Sequence, residues 1–274
     1  MTMRPTPPHP DDSRQASVEV CGAGTVGLRI HEQPRTRHGA PVVLYFHGGA
    51  FTRGSGAAPT ALVRALHAAG AVVVAIDYPL APAHPFPQAV EAGHAALCWL
   101  KRERVALTGC RSALLVAGEE AGGNLAAAAA LMARDRLEPK LSGTILLCPM
   151  LDPCVGTASL RRTRAGPVGC KWADGWAQYL ANPADVDHPY AVPASALRQS
   201  GLPPTLLITA SDDPLHDEAR SYGARLRTAG VTVQERLLPA PTGWPETLLH
   251  AAPPQAPWYD ALLREVRDFL AAVA

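Results

Sequence analysis

From Pro41 onward the chain alternates between two hydrophobic periods, and few architectures accommodate that alternation. Val42 to Phe46, Ala71 to Ile76, Ser112 to Ala117, Gly143 to Cys148 and Thr205 to Thr209 are short apolar runs of the buried-strand kind. Between and after them, Ala58 to Ala69, Pro87 to Arg102, Gly122 to Arg134 and Asp217 to Ala229 carry apolar residues at helical spacing. A strand at Val231 to Leu238 and a helix from about Trp258 to Val273 close the series. Strands that are apolar on both faces, each followed by a helix, predict an α/β fold with a mostly parallel central sheet flanked by helices on both sides.

The ends and one internal stretch depart from this rhythm. Val18 to Ile30 suits a hairpin broken by Gly22, Gly24 and Gly27, whereas residues 1–17 are Pro-rich and polar and read as a flexible arm. A single domain is therefore expected over 18–274. Within it, about 152–201 holds turn clusters and one helical pattern, Trp172 to Leu180. Such an insertion between two sheet strands, together with the N-terminal arm, predicts a small cap over the strand ends, where open α/β sheets bind ligands.

Composition excludes several classes of function. The 25 Lys plus Arg nearly balance 24 Asp plus Glu, and no basic run is longer than Arg161-Arg162, so the stripe that nucleic acid requires is missing. Ala71 to Ile76 and Leu125 to Ala133, the longest apolar stretches, fall well short of the roughly 20 residues of a membrane span. The N-terminus shows no apolar segment of secretory type, and cytoplasmic residence is the expectation. Six cysteines without C-x-x-C spacing argue against a metal knuckle or disulfide framework. No metal or cofactor is implied.

Three local patterns carry chemistry. His47-Gly48-Gly49-Ala50-Phe51 directly follows a strand, and its glycines let the backbone bend and aim N–H groups into a pocket. Gly118-Glu119-Glu120-Ala121-Gly122-Gly123-Asn124 lies between a strand and an Ala-rich helix, an arrangement in which small residues permit a tight turn that pushes residue 120 outward. Ser211-Asp212-Asp213-Pro214-Leu215 places a carboxylate at a strand's C-terminal end.

With Asp77 to Val90 and Gly201 to Val231, these segments resemble the hormone-sensitive-lipase-like branch of the α/β-hydrolase superfamily in order and spacing, from about Pro41 to Leu270. The resemblance implies an α/β-hydrolase fold, an oxyanion hole from Gly48, Gly49 and the N–H of Ala121, and Asp213 as triad acid. It implies a small-molecule substrate, and it leaves a homodimer open by analogy. Two positions depart from the family's pattern. Glu120 stands where the nucleophilic serine belongs, and Thr242, in Thr242-Gly243-Trp244, stands where the triad histidine belongs. His250 and His216 are the histidines within reach along the sequence.

Three readings of Glu120 follow. As a general base it would abstract a proton next to a carbonyl while oxyanion-hole donors stabilise the enolate, giving elimination or a related rearrangement of a largely apolar carbonyl compound. Dehydratase members of the resembled family make this the leading expectation, with Asp213 as a second carboxylate. Alternatively the site has decayed and the carboxylate merely fills the oxyanion hole, leaving a ligand-binding protein. In the third reading Glu120 acts as a covalent nucleophile, or a carboxylate-bound water attacks, in carboxylesterase-like hydrolysis. Asp77 and Tyr78 are expected to support the oxyanion loop, Asp217 and Glu218 to cap a helix, and Trp172, Trp176 and Tyr179 to pack within the cap.

Overall fold

The computed structural model describes residues 14–20, 24–31, 38–57, 59–162, 166–243 and 256–274. Its sheet has eight strands: β1 (Arg14–Val20), β2 (Gly24–His31), β3 (Val42–Phe46), β4 (Val72–Ile76), β5 (Leu114–Glu119), β6 (Gly143–Leu147), β7 (Thr205–Ala210) and β8 (Val233–Leu238), in the order β1-β2-β4-β3-β5-β6-β7-β8. Pairing is antiparallel from β1 to β2 and from β2 to β4, and parallel from β4 through β8. The expected α/β-hydrolase architecture is therefore present.

The five apolar runs become strands because both sheet faces are covered. Val42, Leu44 and Phe46 of β3 join one core, whereas Val43 and Tyr45 point into the other. The first core contains α2 (Gln88–Thr108), α3 (Ala121–Asp135) and α6 (His216–Thr228); the second contains α1 (Ala61–Ala68) and α7 (Pro257–Val273). Helix α3 is buried at every position from Ala121 to Ala133. Its run of alanines suits this position, since a helix apolar all round must be enclosed and small side chains let it sit close to the strands.

Some boundaries differ from the expectation. β1 begins at Arg14, so residues 14–17 belong to a strand paired with Ile30 to Gly27 of β2 and not to an arm. The cause is visible in the exposure: this edge strand presents mostly exposed polar side chains, so no apolar alternation marks it. The role of the arm in the cap falls on residues outside those described. Helix α2 continues to Thr108 and stops at Gly109, whose φ of 79° is the left-handed conformation that glycine adopts at low cost. Between β6 and β7 lie α4 (Ala158–Arg162), α5 (Gly166–Tyr179) and two short 3-10 turns, Pro183–Asp187 and Pro193–Ser195. No helix among the described residues is long and apolar enough to cross a membrane.

Candidate active site

Strand β5 runs into α3 through a single residue in an unusual conformation. Glu120 has φ 52° and ψ −120°, a backbone state that costs a non-glycine residue about 1–3 kcal/mol. Its amide donates to Leu147 of β6 (3.2 Å), and its carbonyl accepts from Gly123 (3.0 Å) and Met150 (2.9 Å), so the turn is held from both sides. This is the predicted elbow, with Glu120 at its tip.

The carboxylate does not project into open space. Oε2 accepts the backbone N–H of Gly49, that of Ala50 at 2.9 Å and that of Ala121 at 3.3 Å. Oε1 accepts the Trp172 indole N–H at 2.7 Å. Four donors therefore converge on two oxygens, and Glu120 is only 4% exposed. The loop after β3 supplies two of these donors because Gly49, Ala50 and Phe51 all have positive φ (126°, 51° and 63°), which turns their amides inward. The N–H of Gly48 is not among the donors to Glu120. Ala50 provides the second loop amide instead, and the carbonyl of Gly48 lies 2.7 Å from His47 Nδ1. Sequence reasoning missed Ala50 because its contribution depends on a left-handed turn that alanine rarely adopts.

The loop is braced as expected. Asp77 accepts the N–H of Gly56 at 2.7 Å and pairs with Arg29 at 3.0 Å. Tyr78 donates to the carbonyl of His47 at 2.9 Å, and its ring stacks on the imidazole with centroids 4.2 Å apart. Burial lowers the His47 pKa below its ordinary value.

The remaining predicted site residues are distributed differently. Asp213 is fully buried, and its Oδ1 accepts the N–H of Leu215 at 2.9 Å. The Cys148 thiol lies in hydrogen-bond contact with Asp213; burial first, and this carboxylate second, push the thiol pKa well up. Thr242 donates both N–H (2.7 Å) and O–H (2.9 Å) to Asp212, the residue before the expected acid. His216 Nδ1 is engaged by the Thr209 hydroxyl at 2.9 Å. Trp244 and His250 lie outside the described residues.

Trp172, Trp176 and Tyr179 are buried as expected, but the contact from Trp172 to Glu120 was not legible, since helical spacing reveals a buried face and not its partner. Asp217 and Glu218 do more than face their own helix. Asp217 accepts the N–H of Ser159 at 2.7 Å and Glu218 that of Asp152 at 2.8 Å, tying α6 to the cap insertion. Between these elements lies a cavity of about 10 Å³, roughly the space of one water, lined in part by Met150, Leu160, Trp172, Trp176, Leu215 and Glu218. No cluster of potential metal ligands occurs among the described residues.

Beneath the elbow, Glu119 points to the opposite face of the sheet and accepts the Thr60 hydroxyl at 3.1 Å. Burial, reinforced by the neighbouring Glu120 carboxylate, raises its pKa from 4.5 to about 8. Between these values the folded protein keeps a proton that the unfolded chain has released. Stability is thus highest below pH 4.5 as far as this group is concerned, falls as pH rises toward about 8, and is flat above. The expected slope is at most about 1.4 kcal/mol per pH unit. Urea unfolding at several pH values checks this: Glu119→Gln should lower the slope, and identical slopes in the two proteins would refute the assignment.

Residues 43–241 match a protein family described as alpha/beta hydrolase fold. The chain is similar to carboxylesterase NlhH of Mycobacterium tuberculosis, 34% identical over 227 residues that cover 80% of this chain and 71% of the relative. It is similar to esterase LipI of Mycobacterium tuberculosis, 35% identical over 236 residues covering 83% and 73%. Among solved structures it resembles a bacterial heroin esterase with a TM-score of 0.82 and 30% identity, over 96% of this chain and 86% of that one.

Proposed function

The chain belongs to the α/β-hydrolase fold family, in its hormone-sensitive-lipase-like branch, and from that premise we propose that it is a ligand-binding protein on an esterase scaffold that does not run the serine-esterase reaction. One observation carries this reading. The three backbone donors that would polarise a substrate carbonyl are occupied by the protein's own Glu120 carboxylate.

Acyl transfer on this scaffold needs a nucleophile, a base beside it and a hole free to receive the developing oxyanion. The elbow offers a carboxylate in place of a hydroxyl, and that carboxylate sits where the oxyanion belongs. Elimination, the leading expectation from sequence, meets the same obstacle. A base whose oxygens are engaged by these donors cannot reach a substrate C–H without releasing them, and the donors cannot stabilise an enolate while they hold the base. Either chemistry first requires Glu120 to leave four hydrogen bonds, including that of Trp172.

The esterase names of the relatives favour a second reading, hydrolysis in which Glu120 attacks an acyl carbon or holds a water. The readings separate by assay. Wild-type protein should turn over a generic aryl ester no faster than its heat-denatured control, and its intact mass should not change after exposure to a fluorophosphonate. Saturable turnover that disappears in Glu120→Gln would establish hydrolysis instead. Exchange of a ketone's α-hydrogens in deuterated water, abolished by the same substitution, would restore elimination. Glu120→Ser alone is expected to gain no esterase activity, because Thr242 has no imidazole and is bound to Asp212. A gain would bring His250 into the site.

A further inference from the structure

With the donors of the loop and elbow taken by Glu120, a carbonyl-bearing ligand needs donors elsewhere. Two polar groups on α5 and α6 line the cavity beside Trp172, and neither is satisfied. Trp176 Nε1–H is buried without a hydrogen-bond partner among the described residues, and so is Glu218 Oε1. Glu218 is 7% exposed and Trp176 2%. An unpaired buried donor or acceptor costs about 1–3 kcal/mol, so two of them around one cavity call for an occupant.

Building on the reading of this pocket as a ligand site, we propose that Trp176 and Glu218 form a second two-donor cradle, which takes the carbonyl oxygen of a neutral ketone or ester with an apolar body. The tryptophan can only donate. Glu218 Oε2 is already occupied by the N–H of Asp152 at 2.8 Å, which leaves Oε1 as the position for a proton. Burial, with the Asp152 and Asp213 carboxylates nearby, raises the Glu218 pKa well above the ordinary value against the opposing pull of the Leu151 and Asp152 N–H groups, and a proton on Oε1 is the second donor that the cradle requires. The cavity admits one oxygen-sized group, and Met150, Leu160 and Leu215 surround it with apolar surface. A water fits the same position in the unliganded protein; a carbonyl oxygen is an acceptor of similar size.

Calorimetric titration at pH 7 with 4-phenylbutan-2-one and 4-phenylbutan-2-ol tests the cradle. Two donors favour the ketone, since the alcohol leaves its own O–H unpaired, and the expected preference is about tenfold. Glu218→Gln keeps an N–H donor at the same place and should keep the preference. Trp176→Phe and Glu218→Leu should each weaken ketone binding about tenfold and abolish the preference. Equal binding of the two probes, preference for the alcohol, or an undiminished ketone preference in Trp176→Phe overturns the proposal. The ketone is not hydrolysable, so the outcomes stay separate. Ester turnover by the wild type would sink the non-hydrolytic reading without touching the cradle, whereas an ester-inert protein that ignores the ketone would sink the cradle alone.

Discussion

Replacing Trp172 by Ala is expected to lower the free energy of unfolding by about 3–5 kcal/mol, the range for truncating a fully buried aromatic side chain. Trp172 is 1% exposed and is among the largest fully buried side chains of the protein. It is also the only cap residue among those described that bonds the Glu120 carboxylate, at 2.7 Å. The substitution therefore opens a cavity under α5 and removes a donor from a buried carboxylate. Trp172→Phe separates the two effects. The phenyl ring keeps most of the apolar contact but leaves Glu120 Oε1 without its partner, for an expected loss of about 1–3 kcal/mol. Both are read by urea unfolding. If Trp172→Phe is as stable as the wild type, the indole bond contributes nothing and the cap does not clamp the elbow.

Gly122→Ala should be more damaging still. A Cβ at Gly122 would lie 2.2 Å from the carbonyl oxygen of Phe46 and 2.4 Å from that of His47, and one at Gly118 would lie 2.1 Å from the carbonyl oxygen of Gly122. Strand β3, the elbow and the start of α3 touch backbone to backbone here, with no flexible side chain to give way. Relief requires the helix to move off the strand, which displaces the Glu120 cradle. The expected cost exceeds about 4 kcal/mol, at the extreme of single substitutions, and loss of soluble folded protein is an equally acceptable outcome. Gly70→Ala is the comparison. Gly70 has φ 92°, and a methyl group added there would meet nothing within 4 Å, so only backbone strain of about 1–2 kcal/mol applies. Thermal unfolding of the two variants decides the matter, and a melting temperature for Gly122→Ala close to that of Gly70→Ala would show that the elbow is not packed this tightly.

How much of the site was legible follows from the range of the interactions. The elbow could be read because its signals are local: a strand, residues 118–124 rich in glycine and alanine, and a helix adjoin in sequence. Asp77 and Tyr78 could be read as braces of the oxyanion loop only through a family pattern. Glu218 reads as a capping charge because its position in the first turn of α6 is visible in sequence, whereas its bond to Asp152, 66 positions away, is not. The family pattern puts Thr242 at the position of the triad histidine, but which of the adjacent carboxylates Asp212 and Asp213 it joins depends on the direction of each side chain after β7.

Strand and helix order, the parallel sheet and the presence of a carboxylate at the elbow's tip were determined by the sequence itself, because hydrophobic period and turn chemistry act between neighbouring residues. What that carboxylate does was decided only by tertiary structure. Its partners come from Gly49 and Ala50, 71 and 70 positions earlier, and from Trp172, 52 positions later. Whether an acid at a turn is a poised base or a plug depends on how many donors the folded chain brings to it, and that number is set by packing between segments that share no local signal.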